Sequence, residues 1–441
     1  MSKEAQSIQK GRFIALLPIF IFLILFLGMG IITGDFYKTP AIVAFLIALL
    51  VAFVQNRKLS FADKFKVITK GVGEENIVTM CLIFLCAGAF SGAVTASGGV
   101  ESTVNLGLSA IPPQFAIPGL FVIGCFISLS TGTSVGTIAA LAPIAVEISH
   151  KTGFSMPLCI GSVVCGAMFG DNLSMISDTT IAAVKTQGCQ MKDKFKMNFF
   201  LVLPAALITL VIFYFLSKNA NYEVSGSLQY NLWQVLPYLL VLVGALAGLN
   251  VFIVLIGGTV FSLIVGVATG AFPLTDIFVA IGGGEVAGRS IGGVIGMYDI
   301  TVISIIVACI VALVKEYGGI RFILNLIKYG IKGTRGAQIG IAGLSLIVDA
   351  CTANNTVAIV IAGPIAKEIS EEYGVDPRRS ASLLDIFSSV GQGLIPYGAQ
   401  LLTAASIASI SPFEIIPYMY YPILMAVSSL LFILCSKKIK A

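Results

Sequence analysis

The sequence predicts an all-α polytopic membrane protein of two inverted repeats, each with five transmembrane helices and one re-entrant hairpin, with broken helices at the midplane. Three observations predict it: a composition only a bilayer can solvate, a match of the chain to itself about 220 residues along, and polar interruptions inside overlong apolar segments. Of 441 residues, 57% are hydrophobic and 11% charged, more apolar surface than a soluble chain can bury.

Near-continuous apolar runs at 13–32, 41–54, 77–94, 197–216, 251–268, 301–314 and 417–434 are mostly close to the roughly 20 residues a spanning helix needs. Lys3, Lys10 and Arg12 precede the first run as in a signal peptide. That run is too long and lacks a small-residue cleavage site before Tyr37, so it is expected to stay as the first helix. The nine cysteines show no ligand spacing and read as small core residues, and His150 reads as a solvated loop residue. The net charge of +5 is explained by basic cytoplasmic loops, and no nucleic-acid partner follows.

Residues 117–148 and 339–369 are too long for one straight span, roughly 45 Å if helical against a core of about 30 Å. Each carries Gly, Ser, Thr or Asn at its middle: Ser128-Leu-Ser-Thr-Gly-Thr-Ser-Val-Gly-Thr137 and Asp349-Ala-Cys-Thr-Ala-Asn-Asn-Thr356. Both read as re-entrant hairpins. With ten further segments crossing once, all but Lys38, Lys151, Lys218 and Arg289 of the 27 lysines and arginines fall on one side. The positive-inside rule makes that side the cytoplasm, so both termini are expected there, in the cell (inner or plasma) membrane.

At an offset of 221, Pro143-Ile144-Ala145 meets Pro364-Ile365-Ala366, Glu147-Ile148-Ser149 meets Glu368-Ile369-Ser370, and Gly153 and Gly170 meet Gly374 and Gly391. Residues 1–216 form one expected repeat, 217–231 an extracytoplasmic linker and 232–441 the second repeat. Five crossings plus a hairpin is an odd number of passages, so the second copy enters from the opposite side. Inverted repeats with paired broken helices are the architecture of many secondary transporters.

A further overlong segment, 155–186, is interrupted by Gly170-Asp-Asn-Leu-Ser-Met-Ile-Ser-Asp-Thr-Thr180, and its repeat partner by Gly391-Gln-Gly-Leu-Ile-Pro-Tyr-Gly-Ala-Gln400. Both are expected to unwind, which bilayer depth tolerates only where the backbone is buried or lines a wet cavity. Intramembrane carboxylates are costly and default to function. Asp171 and Asp178 therefore read as candidate Na+ ligands, with Ser174, Ser177, Thr179 and Thr180 as neutral oxygens beside them. Asp171 equally suits a helix amino end as a cap. Asp349 near the second tip and Asp385 before the second break are further candidates, although Asp385 equally suits a neighbouring amide or hydroxyl. Thr131, Thr133 and Ser134 at one tip, Thr352, Asn354, Asn355 and Thr356 at the other, and Gln392 and Gln400 at the second break complete the cation- or substrate-binding set. No lysine or arginine falls well inside a predicted span, which favours cation chemistry while leaving open an acid held by helix amino ends. No nucleophile and base constellation, metal-ligand spacing or phosphate loop supports an enzyme.

Gly170-Asp-Asn-Leu-Ser-Met-Ile-Ser-Asp-Thr-Thr180 resembles the GD-x-LSP-x-SDTT signature of the NhaC-type sodium/proton antiporter family, within the broader ion transporter superfamily. Met175 stands where the family often has Pro, which implies a softer break. The resemblance covers essentially the whole chain and is most specific over residues 126–185 and 347–402. It implies sodium-dependent antiport, with Na+ and H+ as transported ions and no cofactor. It also implies a homodimer moving by an elevator-like mechanism. The rival expectation is Na+-coupled movement or exchange of a small amino acid or carboxylic acid.

Overall fold

The computed structural model describes residues 11–33, 41–110, 112–175, 177–219, 228–247, 249–331 and 333–435. The expected cytoplasmic ends at 1–10 and 436–441, and most of the expected linker, lie outside the described residues. The chain is mostly helical. Helices Leu17–Thr33, Ala41–Val54, Glu75–Ala96, Val251–Ala268, Tyr298–Glu316 and Tyr420–Cys435 fall on the apolar runs. Among the described residues, six helices are long and apolar enough to cross a membrane, or up to seven if a bent pair counts as one span.

Burial separates the centre from the lipid face. The most apolar 18-residue stretch within residues 156–187 is 88% buried, against 33% for that within Met191–Lys218, so the interrupted segment is largely wrapped by protein while the other is exposed along one side. On helix Met191–Asn219 the side chains of Phe200, Leu207, Val211 and Phe215 recur at helical spacing and are exposed. Lys194, Asn198, Leu201, Ala205 and Thr209 recur on the opposite side and are buried.

Both overlong polar segments fold as two helices meeting at a tip. In the first, Ala116–Thr131 ends at Gly132, which takes the left-handed conformation (φ 70°), and Ser134–Thr152 follows. In the second, Gly333–Thr352 ends before Ala353 (φ 50°), and Asn355–Tyr373 follows. Thr133 Oγ1 accepts from Gly136 N at 3.3 Å, and Asn354 Oδ1 accepts from Val357 N at 3.0 Å, so each second limb starts from a side-chain cap. Thr334 Oγ1 donates to the Tyr373 carbonyl at 3.0 Å, which joins the start of the second pair to its end and makes it a hairpin.

The expected breaks are present. Met156–Leu173 is followed by Asp178–Gln187, and Pro377–Leu394 by Ala399–Ala408. Every boundary of these broken helices and of the second hairpin limbs recurs 221 residues along. The left-handed residues Gly132, Gly153 and Gly188 recur as Ala353, Gly374 and Ser409 at the same spacing.

Three features depart from the apolar runs and the all-α expectation. Helix Met191–Asn219 begins before the run at 197–216 and buries Lys194, because that lysine shares the inward face with Asn198. Between the runs at 41–54 and 77–94 lies helix Phe61–Val72, capped by Ser60. Lys64 Nζ donates to the carbonyls of Phe53 and Gln55 at 2.6 and 2.8 Å, closing the end of helix Ala41–Val54. The chain is also not purely helical: Gly284–Val286 pairs antiparallel with Arg289–Ile291. The turn uses Ala287 and Gly288, both at positive φ, which suits the twist of a two-residue hairpin.

Two of the four basic residues expected on the basic-poor side share one carboxylate: Lys151 Nζ and Arg289 Nη2 reach the two oxygens of Glu101 at 3.1 and 3.2 Å.

Candidate functional site

The first tip and the first break come together around Asp171. Its Oδ2 accepts from Ser134 Oγ at 2.9 Å and its Oδ1 from Ser177 Oγ at 2.6 Å. Ser177 Oγ also lies 2.9 Å from Thr179 Oγ1. From the second half, Gln400 Nε2 donates to Ser134 Oγ at 3.2 Å, while Gln400 Oε1 is buried without a partner. All five residues are buried. Tip, broken helix and the opposite half thus contribute one carboxylate, three hydroxyls and a free amide oxygen to one cluster. Gly170 allows this approach, since a Cβ there would run into the Cys125 carbonyl and Ser128 of the hairpin's first limb.

The second half builds a different cluster on the same frame. Gln392, 221 residues after Asp171, donates through Nε2 to Asp349 Oδ1 at 2.9 Å and accepts at Oε1 from Ala399 N at 3.2 Å. Asp349 Oδ2 is buried with no partner. Gly391 is the counterpart of Gly170, and a Cβ there would collide with the Asp349 carboxylate.

Other candidates are placed elsewhere. Asp178 begins helix Asp178–Gln187 and is exposed, and its side chain makes no hydrogen bond among the described residues. Its charge suits the positive end of that helix. Ser174 is buried, and its N–H bonds the Asp171 carbonyl at 3.2 Å, closing the broken helix. Thr131 is back-bonded to Ile127 at 2.9 Å, the ordinary fate of a helical threonine. Thr133 and Asn354 cap their limbs. Asn355 Oδ1 accepts from Thr356 N at 3.1 Å, and Thr352 Oγ1 reaches the Asn354 carbonyl at 3.2 Å.

Thr180 and Asp385 belong to an arrangement that contradicts the expectation of no buried basic residue. Lys194 Nζ lies 2.5 Å from Asp385 Oδ2, 2.8 Å from Thr180 Oγ1 and 3.3 Å from the Asn172 carbonyl. Asn198 Nδ2 donates to Asp385 Oδ2 at 2.9 Å and to the Asn172 carbonyl at 3.0 Å. Asp385 is therefore ion-paired through Oδ2, while its Oδ1 is buried without a partner. Sequence reasoning missed Lys194 and Asn198 because it ended the apolar helix at its hydropathy edge. Their four-residue spacing, in phase with the inward face, was the available signal.

A cavity of about 180 Å³ leads toward the second tip. It opens among the exposed charges Lys70, Glu74, Lys315 and Glu316 and runs past Ala308 and Val311 to Thr352 and Val357. A smaller one continues to Asn354, Tyr397 and Ala399.

The family model described as the Na+/H+ antiporter family matches residues 9–218 and again residues 219–437. The chain is 24% identical over 436 residues to the "Malate-2H(+)/Na(+)-lactate antiporter" of Bacillus subtilis (strain 168), covering 93% of this chain and 92% of that one. It is also 24% identical over 401 residues to the "Na(+)/H(+) antiporter NhaC" of the same organism, covering 85% and 88%. Among solved structures, the YdaH transporter of Alcanivorax borkumensis aligns with a TM-score of 0.42 at 12% identity, over 96% of this chain and 98% of that one. With the family model matched over nearly its whole length, the chain belongs to the Na+/H+ antiporter family, NhaC-type, a family of integral membrane transporters.

Proposed function

We propose that this protein exchanges Na+ for H+ across the cell membrane by alternating access, with Asp171 as the carboxylate both ions use. The observation that carries the reading is the buried Asp171 carboxylate held between hydroxyls of the first tip and the first break. Na+ is a hard cation that takes oxygen ligands, as hard divalent cations do. Rotating the Ser134 and Ser177 hydroxyls turns two donors into two acceptors, with Thr179 and Gln400 adjoining. When the cation leaves, a proton on Asp171 restores neutrality in a site where an uncompensated charge is expensive. Competition for one carboxylate couples the fluxes.

The chain as two inverted repeats, 1–216 and 232–441 joined by an extracytoplasmic linker at 217–231, is part of this reading. The family model matching twice, with its seam at 218/219, and helix boundaries recurring 221 residues apart support it. On this reading the cavity faces the cytoplasm, which the excess of lysine and arginine expected on its side of the chain supports.

A second reading is Na+-coupled exchange of a small carboxylic acid held by the second tip. A relative named as a malate and lactate antiporter and a cavity ending at Thr352 and Asn354 favour it. Purified protein in liposomes separates the two: internal pH is followed after a Na+ pulse, with and without a panel of amino and organic acids. Proton movement with Na+ alone is the expected result. A response that requires one acid replaces the first reading with the second.

A further inference from the structure

The neighbours of Lys194 form the donor set of a metal cation rather than that of a simple ion pair. A carboxylate oxygen of Asp385, the hydroxyl of Thr180 and the carbonyl of Asn172 at the helix break converge on its ammonium. These are the hard oxygens that bind hard cations. The residue is 1% exposed and Asp385 0%. An ammonium has three protons to donate, and these three oxygens use them all. Yet Asp385 Oδ1 and Asn198 Oδ1, on side chains that already bond within the cluster, are also buried with no partner. These two side chains carry more oxygen than the lysine satisfies, whereas a spherical cation has no such limit.

The other half of the molecule shows that the fold itself does not ask for charge here. The residues 221 positions from Asp385, Thr180 and Lys194 are Val164, Leu401 and Ile415. All three are fully buried. The same frame is thus packed once with aliphatic side chains and once with an ion pair, and well-packed apolar residues commonly replace a buried pair without loss of stability.

We propose that the Lys194 ammonium is a tethered cation filling a monovalent-cation site formed by Asn172, Thr180 and Asp385. Removing the ammonium opens that site to Na+. Thr180, which bonds the ammonium, directly follows Thr179, which bonds Ser177 of the Asp171 cluster, so the tethered charge takes the place next to that cluster where a second mobile ion would otherwise load. One carried cation per cycle follows, a consequence that rests on the Na+/H+ reading of Asp171.

The test is radiolabelled Na+ binding to the purified full-length protein, with thermal unfolding in Na+ and in choline. Lys194→Ala is expected to bind twice the Na+ of the wild type and to be stabilised by Na+ but not by choline. Adding Asp385→Asn to Lys194→Ala is expected to remove the gained ion. The neutral, size-preserving pair Lys194→Met with Asp385→Asn serves as the folding control and is expected to bind as the wild type does. A folded Lys194→Ala protein that binds no more Na+ than the wild type overturns the proposal. So does a Lys194→Ala protein that fails to fold even in Na+ while the neutral pair folds, since the ion pair is then structural alone. If the wild type binds no Na+ but Lys194→Ala gains one ion, the antiport reading fails and the tethered cation stands.

Discussion

Replacing Asp171 by Asn removes the only formal charge from the proposed cation cluster while keeping its shape. Ser134 and Ser177 lose two hydrogen bonds to a charged acceptor, at 2.9 and 2.6 Å, each worth about 1.5–3 kcal/mol against about 0.5–1.5 for a neutral bond. The amide group of Asn finds an acceptor in Ser134 Oγ, which already takes a bond from Gln400. Part of the loss is thereby recovered, and a buried charge no longer has to be desolvated. The fold is expected to survive within about 2 kcal/mol. Cation binding is not: a unit charge about 4 Å away contributes about 4 kcal/mol at an effective dielectric of about 20, or about a thousandfold in affinity. The assay is Na+-driven proton movement in liposomes, with thermal unfolding of the same preparation. Exchange within tenfold of the wild type, in a protein of unchanged stability, refutes the assignment of the cation to Asp171.

Gly391→Ala places a methyl against the Asp349 carboxylate and is expected to cost about 1–3 kcal/mol of stability. Gly107→Ala, where a Cβ meets nothing, is the control, both read as shifts in unfolding temperature. Asn354→Ala and Thr133→Ala each remove a cap and are expected to cost about 1 kcal/mol, with Asn354→Ala also altering the floor of the cavity. Asp376, which caps helix Pro377–Leu394, has its carboxyl held below the usual carboxylate range chiefly by its hydrogen bond from Arg378. A lowered folded value means its contribution is present above about pH 4 and is lost as pH falls through that lowered value. Asp376→Asn is therefore expected to be less stable at neutral pH, with the difference vanishing at acid pH. A gap that widens on acidification refutes it.

Much of this frame was legible in the sequence because its breaks are chemical. Gly132, Gly153 and Gly188 take left-handed conformations, and the Thr-Gly-Thr-Ser and Thr-Ala-Asn-Asn-Thr tips supply their own caps. The Asp171 cluster was legible only in part. The sequence brought forward Asp171, Ser134, Ser177, Thr179 and Gln400, but it favoured Asp178, flanked by hydroxyls, over Asp171, which equally suited a cap, and it gave no way to separate the two by the side each faces. That separation depends on the backbone leaving the helix between Leu173 and Asp178, which alters the side each residue faces. Lys194 was hidden for another reason: charge near the end of an apolar run looks like the start of a loop, and only its phase with the buried side of the helix reveals that it points inward.

The two halves share a skeleton and differ in where charge is placed. Asp171 stands opposite Gln392, Asp349 opposite Ser128, and the Lys194–Asp385 pair opposite Ile415 and Val164. Two tips and two breaks are present, but each buried charge is expensive, and among the described residues it is the first break whose carboxylate is faced by donating hydroxyls, whereas Asp349 is faced by an amide. The Asp171 cluster draws on the first tip, the first broken helix and, through Gln400, the second broken helix, and these elements share one hydrophobic core. Helices Leu17–Thr33, Ala41–Val54 and Tyr298–Glu316 meet mainly in separate clusters. The cavity lies on the boundary between the groups, with Val67, Ala308 and Val311 on one wall and Thr352, Val357 and Ile361 on the other. On the exchange reading, movement along that boundary is the expected way for access to change, and the shared core that packs the elements of Ser134, Asp171 and Ser177 together would keep their hydroxyls and carboxylate in register as it occurs.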